Sequence, residues 1–343
     1  MPEPSTRGTI ESIRSGPAGQ EDQMGPRRPP EILRKSHAHT EGRARETDKR
    51  ALRDALEDAV VDAHGGPALL IDLDGVIYRG DDVIDGAAAA VAWLEDQAVP
   101  YLFVTNTTSR PRSALVEKLR GFGIAVREDR ILTPSVAAAR WLAEHECSRL
   151  FLCVPEATAG EFANFENAGA ARGHSGTRTG AAIDRVDAVV VGDLGADWTF
   201  DRLNRAFRYL MADSKPHLIA LGMTRYWHAS DGLRLDTAPF VVALAHASGT
   251  EPTVLGKPAA AFFETALASL GAAPERTLMI GDDVRADVGG AQAAGLHGIL
   301  VRTGKFRPSD LDCGVTPDIV IDSISDLPDE WQRLLLHTRR DSR

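Results

Sequence analysis

Long apolar runs, a cysteine framework and a surplus of positive charge are all missing from this sequence. No apolar run reaches the ~18–20 residues that a membrane span needs, so no membrane partner is expected. Three cysteines, Cys147, Cys153 and Cys313, occur in 343 residues. They do not make a disulfide framework, no CxxC pair marks a zinc site, and a reducing, cytoplasmic setting is the expectation. The first residues lack the charged-then-apolar pattern of a secretory signal. The net charge of −10 argues against a general nucleic-acid binder. It leaves room for an anionic substrate, because a bound cation reverses the local field. No G-x-G-x-x-G follows the first apolar strand, and GFG at 121–123 lies at a helix end, which argues against a dinucleotide enzyme. The histidines show no metal-ligand spacing; His246 and His297 read as structural. No repeat of fixed period is present.

What is present is a long chain with 43% hydrophobic residues, enough for two domains and a tail. Residues 1–50 stand apart. They carry ten Lys/Arg against eight Asp/Glu and few apolar residues, the composition of a disordered segment. Residues 49–63 have apolar positions at helical spacing. From Gly65 onward, apolar runs alternate with helical patterns. The runs are ALLI (68–71), YLFV (101–104), FLCV (151–154), AVVV (188–191), LIAL (218–221), TVL (253–255), LMI (278–280), GILV (298–301) and DIVI (318–321). This alternation predicts an α/β fold, a parallel sheet with helices on both faces. Ligands of such sheets bind beyond the carboxyl ends of the strands, so polar residues at strand ends are the place to look. Trp93 and Trp141 read as helix packing.

Four strand ends carry candidate chemistry. In LLIDLDGVIY, Asp72 and Asp74 are two residues apart and start on one face of the chain. They suit a nucleophile beside a general acid/base, although an ordinary Asp-Gly turn fits equally well. In LFVTNTT, the Thr105 hydroxyl and the amides around Asn106 suit phosphate oxygens; a helix cap is the plainer alternative. In VLGKP, Lys257 follows a strand and precedes a helix that Pro258 is expected to open. A lysine there could neutralise a phosphate, and alone it would pass for a surface residue. In LMIGDDVRADVGGA, Asp282, Asp283 and Asp287 gather after a strand, either as helix caps or as oxygen ligands for a hard cation such as Mg²⁺. Convergence of all four would crowd carboxylates together. Like charges ~4 Å apart repel by roughly 4 kcal/mol per pair at an effective dielectric near 20, so such a cluster calls for a divalent ion or shifted pKa values. A metal beside a lysine is what phosphoryl transfer requires.

Together DLDGV (72–76), apolar-TN (102–106), GKP (256–258) and GDDVRAD (281–287) resemble, in order, the four motifs of the haloacid dehalogenase-like (HAD) superfamily. The resemblance covers residues 66–325. The long stretch between Thr105 and Lys257 is similar to the large cap of the NagD-like (type IIA) branch. LGMTRYWHASDGLRLDTAPFVVALAHASG and ILVRTGKFRPSD resemble the phospholysine phosphohistidine inorganic pyrophosphate phosphatase group, from whose pattern this chain departs by keeping an Asp at 74. The resemblance implies a Rossmann-like core with an inserted α/β C2-type cap. The expected layout is an extension at 1–64, core at 65–148, cap at 149–250, core again at 251–330 and a tail at 331–343. It implies a Mg²⁺-dependent phosphatase acting on small phosphorylated compounds: phosphomonoesters, pyrophosphate, or phosphohistidine and phospholysine. Asp72 would be the nucleophile and Asp74 the acid/base. Asp72, the Asp74 carbonyl and Asp282 would hold the metal, with Asp283 and Asp287 unranked assistants. Thr105, the Asn106 amide and Lys257 would hold the phosphoryl group. In the cap, Arg225, Tyr226, Trp227 and Asp231 are candidates either for substrate contact or for a structural or homodimer-interface role. A dehalogenase and a catalytically silent phospho-ligand binder are the alternatives; the former usually lacks the second Asp and needs no metal.

Overall fold

A computed structural model describes residues 67–169, 185–229 and 231–338. The expected extension at 1–64 and the helical pattern at 49–63 lie outside the described residues. In chain order the strands are β1 (Ala68–Asp72), β2 (Tyr78–Arg79), β3 (Asp82–Val83), β4 (Tyr101–Val104), β5 (Ile131–Leu132), β6 (Arg149–Cys153), β7 (Glu166–Asn167) and β8 (Ala188–Val191). They continue as β9 (His217–Ala220), β10 (Tyr226–Ala229), β11 (Gly232–Leu235), β12 (Pro252–Val254), β13 (Thr277–Gly281), β14 (His297–Val301) and β15 (Ile319–Ile321).

Two parallel sheets form the frame. The first has six strands in the order β15-β14-β13-β1-β4-β5, and the second has five, β12-β9-β8-β6-β7. Strand β1 sits centrally, with Leu70 in register with Met279 on one side and Leu102 on the other. All five of its residues are buried, as expected of a strand covered on both faces.

The period-2 alternation of strand side chains divides each sheet into two faces. Leu69, Ile71, Tyr101, Phe103, Leu278 and Ile280 join an apolar cluster with residues of helices Ala87–Asp96, Arg112–Gly121 and Leu327–Thr338. Their neighbours Leu70, Leu102, Val104 and Met279 belong to a second cluster with helices Pro134–Glu144 and Ala260–Leu270. That second cluster runs on into one face of the second sheet through Leu150, Ala188, Val190 and Ile219. The opposite face, with Phe151, Cys153, Val189, Val191 and Leu218, packs against helices Phe200–Leu210 and Thr237–Ser248.

Three details differ from the sequence reading. Strand β12 pairs with β9, so the second sheet extends through Val254, past the expected limit at 250. The helix after Lys257 begins at Ala260, with Ala259 as its N-cap; Pro258 lies before it, after a cis peptide bond, and opens nothing. Residues 331–338, read as tail, continue the helix Leu327–Thr338, whose Trp331 and Leu334 are buried. An amphipathic helix with an apolar stripe is held by that burial. No helix among the described residues is long and apolar enough to cross a membrane.

Candidate active site

The carboxyl ends of β1, β4 and β13 come together because these strands are neighbours in one sheet. At the end of β1, Asp72 is buried at 6% exposure, while Asp74 is exposed. Between them the chain leaves the sheet in a tight turn. The Gly75 N–H donates to Tyr78 O at 2.7 Å and the Ile77 N–H to Leu73 O at 2.9 Å. Gly75 takes φ of +90°, and a β-carbon there would stand 2.1 Å from Asp282 Oδ2. Only glycine satisfies both demands.

Lys257 arrives from the second sheet, three residues past β12. It is buried, and its Nζ lies 2.8 Å from Asp72 Oδ1 and 2.7 Å from Asp287 Oδ1. The second contact is an ion pair without an aligned hydrogen bond, since Asp287 Oδ1 lacks a partner of good geometry. Asn106 anchors the lysine. Its Nδ2 donates to Lys257 O at 2.9 Å, and its Oδ1 accepts the Lys257 N–H at 2.8 Å. The Asn106 carboxamide is thereby tied to the backbone of another motif through its oxygen and one of its two N–H donors. Thr105 is buried, and its Oγ1 accepts the Thr107 N–H at 3.2 Å. The hydroxyl proton is free to be donated outward.

The acids after β13 separate into different jobs. Asp283 caps the following turns, its carboxylate accepting the N–H groups of Arg285 and Ala286 at 3.1 and 2.9 Å. Val284–Gly289 is a π-helical segment, a widening frequent at functional sites. It turns Asp287 back, so that Oδ2 accepts the Asp283 N–H at 3.0 Å while Oδ1 faces Lys257. Asp282 is held from a direction the sequence reading missed. Its Oδ2 accepts the Lys305 N–H at 2.6 Å, and Gly75 and Gly304 press on it so closely that a β-carbon on either would lie 2.1 Å from Oδ2. Thr303 Oγ1 donates to Gly75 O at 2.5 Å, tying this turn to the one after β1. The only hint in the sequence was that RTGK follows a predicted strand, β14.

One ammonium stands among three buried carboxylates, and it cannot compensate them all. Lys257 stays charged: burial opposes its charge, but Asp287 and Asp72 hold its pKa above the ordinary lysine range. Burial pushes Asp72 up, Lys257 pulls it back and Asp282 adds to the rise. Burial likewise lifts Asp282 to about 6, although the Lys305 N–H works against it. Asp287 is pushed to about 6, burial outweighing Lys257. Asp72, Asp282 and Asp287 each offer an oxygen within 4.8 Å of the others, and Asp282 Oδ1 is buried with no hydrogen-bond partner. Three negative charges and one positive leave two to be balanced. An orphaned oxygen in an all-carboxylate set with that charge fits a hard divalent cation.

The cap candidates lie elsewhere, on the antiparallel hairpin β10–β11. Arg225, Tyr226, Trp227 and Asp231 are exposed. Arg225 stands 5.9 Å from the Tyr226 ring centre, and Trp227 faces Arg234 at the same distance. Asp231 pairs with Arg234, Oδ2 to Nη2 at 2.7 Å, a partner not anticipated from the sequence. None of the four bonds to the buried acids. Trp93 packs edge-on against Trp331 at 6.3 Å. His297 sits 3.7 Å from Asp318.

A haloacid dehalogenase-like hydrolase family model matches residues 69–168, and a HAD-hydrolase-like one matches 254–327. The chain is 41% identical over 245 residues to haloacid dehalogenase-like hydrolase domain-containing protein 2 of Bos taurus, covering 71% of this chain and 87% of that protein. It is 36% identical over 253 residues to the phospholysine phosphohistidine inorganic pyrophosphate phosphatase of Xenopus laevis, covering 72% and 87%. Among solved structures it is similar to p-nitrophenyl phosphatase from Archaeoglobus fulgidus, with a TM-score of 0.68, 29% identity, and coverage of 77% of this chain and 98% of that one.

Proposed function

The chain belongs to the haloacid dehalogenase-like hydrolases, and from that premise we propose that it is a Mg²⁺-dependent phosphatase of small phosphorylated compounds that works through an aspartyl-phosphate on Asp72. The observation that carries the reading is the buried Asp72–Lys257–Asp287 array beside Asp282, whose Oδ1 has no partner. Asp72, the main-chain carbonyl of Asp74 and Asp282 would hold the metal, with Asp287 alongside. When bound, Mg²⁺ offsets the carboxylate charge and that of the incoming phosphoryl oxygens.

The protein's own groups account for the remaining steps. Lys257 holds Asp72 Oδ1 at 2.8 Å, so Oδ2 is the oxygen left to attack phosphorus. The Thr105 hydroxyl and the Asn106 main-chain N–H steady the phosphoryl oxygens. As the Asp72–phosphorus bond forms, the bond to the leaving oxygen or nitrogen breaks, and that atom takes a proton from Asp74, which is exposed. The Asp74 carboxylate then takes a proton from water. That water attacks the acylphosphate at phosphorus and releases phosphate, and Asp72 is regenerated. Asp74 thus acts first as acid and then as base.

Phosphomonoesters, pyrophosphate and phosphorus–nitrogen compounds are the substrate classes in view, the last two because a relative is named for them. The exposed Tyr226, Trp227, Leu233 and Leu235 of the hairpin support a homodimer through the cap, which aromatic residues favour. A metal-independent dehalogenase would have no use for the charge left over in the acid cluster. The test is release of p-nitrophenol from p-nitrophenyl phosphate with Mg²⁺. Asp72→Asn should remove turnover by at least about a thousandfold with an unchanged circular dichroism spectrum, and undiminished turnover would overturn the assignment.

A further inference from the structure

Lys305 is the second lysine of the site, and the reaction above gives its side chain no task. Its main chain has one. The Lys305 N–H holds Asp282 Oδ2 at 2.6 Å, and the preceding Thr303 and Gly304 lie against Gly75 and Asp282. That job needs no ammonium.

The ammonium is placed differently from that of Lys257. Lys257 is buried and occupied by two carboxylates. Lys305 is exposed, and among the described residues no carboxylate pairs with it within the 4.0 Å of an ion pair. It still lies in the combined field of Asp282, Asp72, Asp283 and Asp287. A second cation borders the same turn, since Arg79 Nη2 donates to Gly304 O at 3.4 Å. A tethered cation that faces acids without pairing with any one of them has free hydrogen-bond donors for a ligand.

Charge decides which ligand. Asp72, Asp282 and Asp287 with Lys257 and one divalent ion sum to zero, so a phosphoryl group meets a neutral floor. A further anionic group on the substrate gains nothing from that neutral floor and needs a cation of its own.

Resting on the phosphatase reading, we propose that Lys305 is a specificity-determining residue whose ammonium pairs with a second anionic group, carboxylate or phosphate, that the substrate carries a few bonds from the transferred phosphoryl group. The substrates favoured are then phosphorylated acids and bisphosphates rather than phosphorylated neutral alcohols.

Binding of three non-hydrolysable ligands tests this, measured by titration calorimetry on the full chain with saturating Mg²⁺. Methylphosphonate offers one anionic group, phosphonoacetate adds a carboxylate, and methylenediphosphonate adds a second phosphonate. Wild-type protein should bind at least one of the latter two about tenfold more tightly than methylphosphonate, the scale of one charge-assisted hydrogen bond. Which of the two gains tells carboxylate from phosphate. In Lys305→Met, which keeps the main-chain N–H to Asp282, that ratio should fall to near one, whatever common change all three ligands suffer. Lys305→Arg should retain it. The proposal is overturned if wild type shows no preference, if it binds none of the three, or if Lys305→Met keeps the preference. Failure of the phosphatase reading looks different: no phosphoester is turned over, yet the binding ratio is still measured.

Discussion

Replacing Lys257 by methionine removes the one cation from a buried set of three acids. The side chain keeps nearly its length, so packing changes little and the effect is electrostatic. Asp72 and Asp287, at 6% and 1% exposure, lose the ammonium that stands 2.8 and 2.7 Å away. Breaking a buried ion pair from one side costs about 3–5 kcal/mol, and here a single cation serves two carboxylates, which points to the upper end. At about 2–4 °C per kcal/mol for a domain of this size, the melting temperature should drop by roughly 6–20 °C. The drop depends on pH. Asp287 is already lifted to about 6, and without Lys257 it rises further, so at pH 5 the stranded acids take up protons and the penalty shrinks. Calorimetric melts in EDTA at pH 7.5 and pH 5 measure both quantities. The double variant Lys257→Met/Asp287→Asn should recover more than half the lost stability while p-nitrophenyl phosphate turnover stays absent, because the array is restored in charge but Asp72 is left unheld. The reasoning fails if Lys257→Met melts within about 1 °C of wild type in EDTA at pH 7.5. It fails equally if the double variant is no more stable than the single.

Three further outcomes are expected. Asp282 and Asp287 both have native pKa values near 6, above the ordinary 3.8, so the metal-free native state holds extra protons between those limits. Its stability should fall as pH rises through about 4 to 6, by about 3 kcal/mol per group at most, and melts in EDTA against pH should show it. Added Mg²⁺ should accordingly stabilise far more at pH 7.5 than at pH 5. Gly75→Ala forces a left-handed backbone on alanine and drives a β-carbon into Asp282; a cost of at least about 1–3 kcal/mol and a weakened response to Mg²⁺ in thermal shift should follow. Asn106→Ala loses both hydrogen bonds to the Lys257 main chain; turnover of p-nitrophenyl phosphate should fall more than tenfold for a stability loss of about 1–3 kcal/mol, and unchanged turnover would remove Asn106 from the site.

Much of this arrangement was legible before folding was considered. The apolar runs at 68–71, 101–104 and 278–280 are nearly the observed strands, because a strand buried on both faces leaves a continuous apolar signature. Asp72, Thr105 and Asp282 are reached by reading the first or second residue after each run, since an open parallel sheet puts its ligands there. The Lys305 turn went unread, because its contribution is a main-chain N–H, and every residue but proline has one. Asp283 and Asp287 could not be ranked for a related reason. They are four residues apart, and whether the intervening chain is α or π decides which one faces inward.

The order and type of the motifs, the α/β alternation and the Asp72–Asp74 pair proposed as nucleophile and acid are written in the one-dimensional pattern, because burial and strand ends impose local rules on residue type. Folding alone decided that Lys257 comes in from the second sheet, that Asn106 is spent on anchoring it, and that Asp287 rather than Asp283 joins Asp72 and Asp282. Those outcomes depend on distances between segments far apart in the chain, Asp72 and Lys257 alone being 185 residues apart. No local preference encodes such distances; they follow from how two sheets pack.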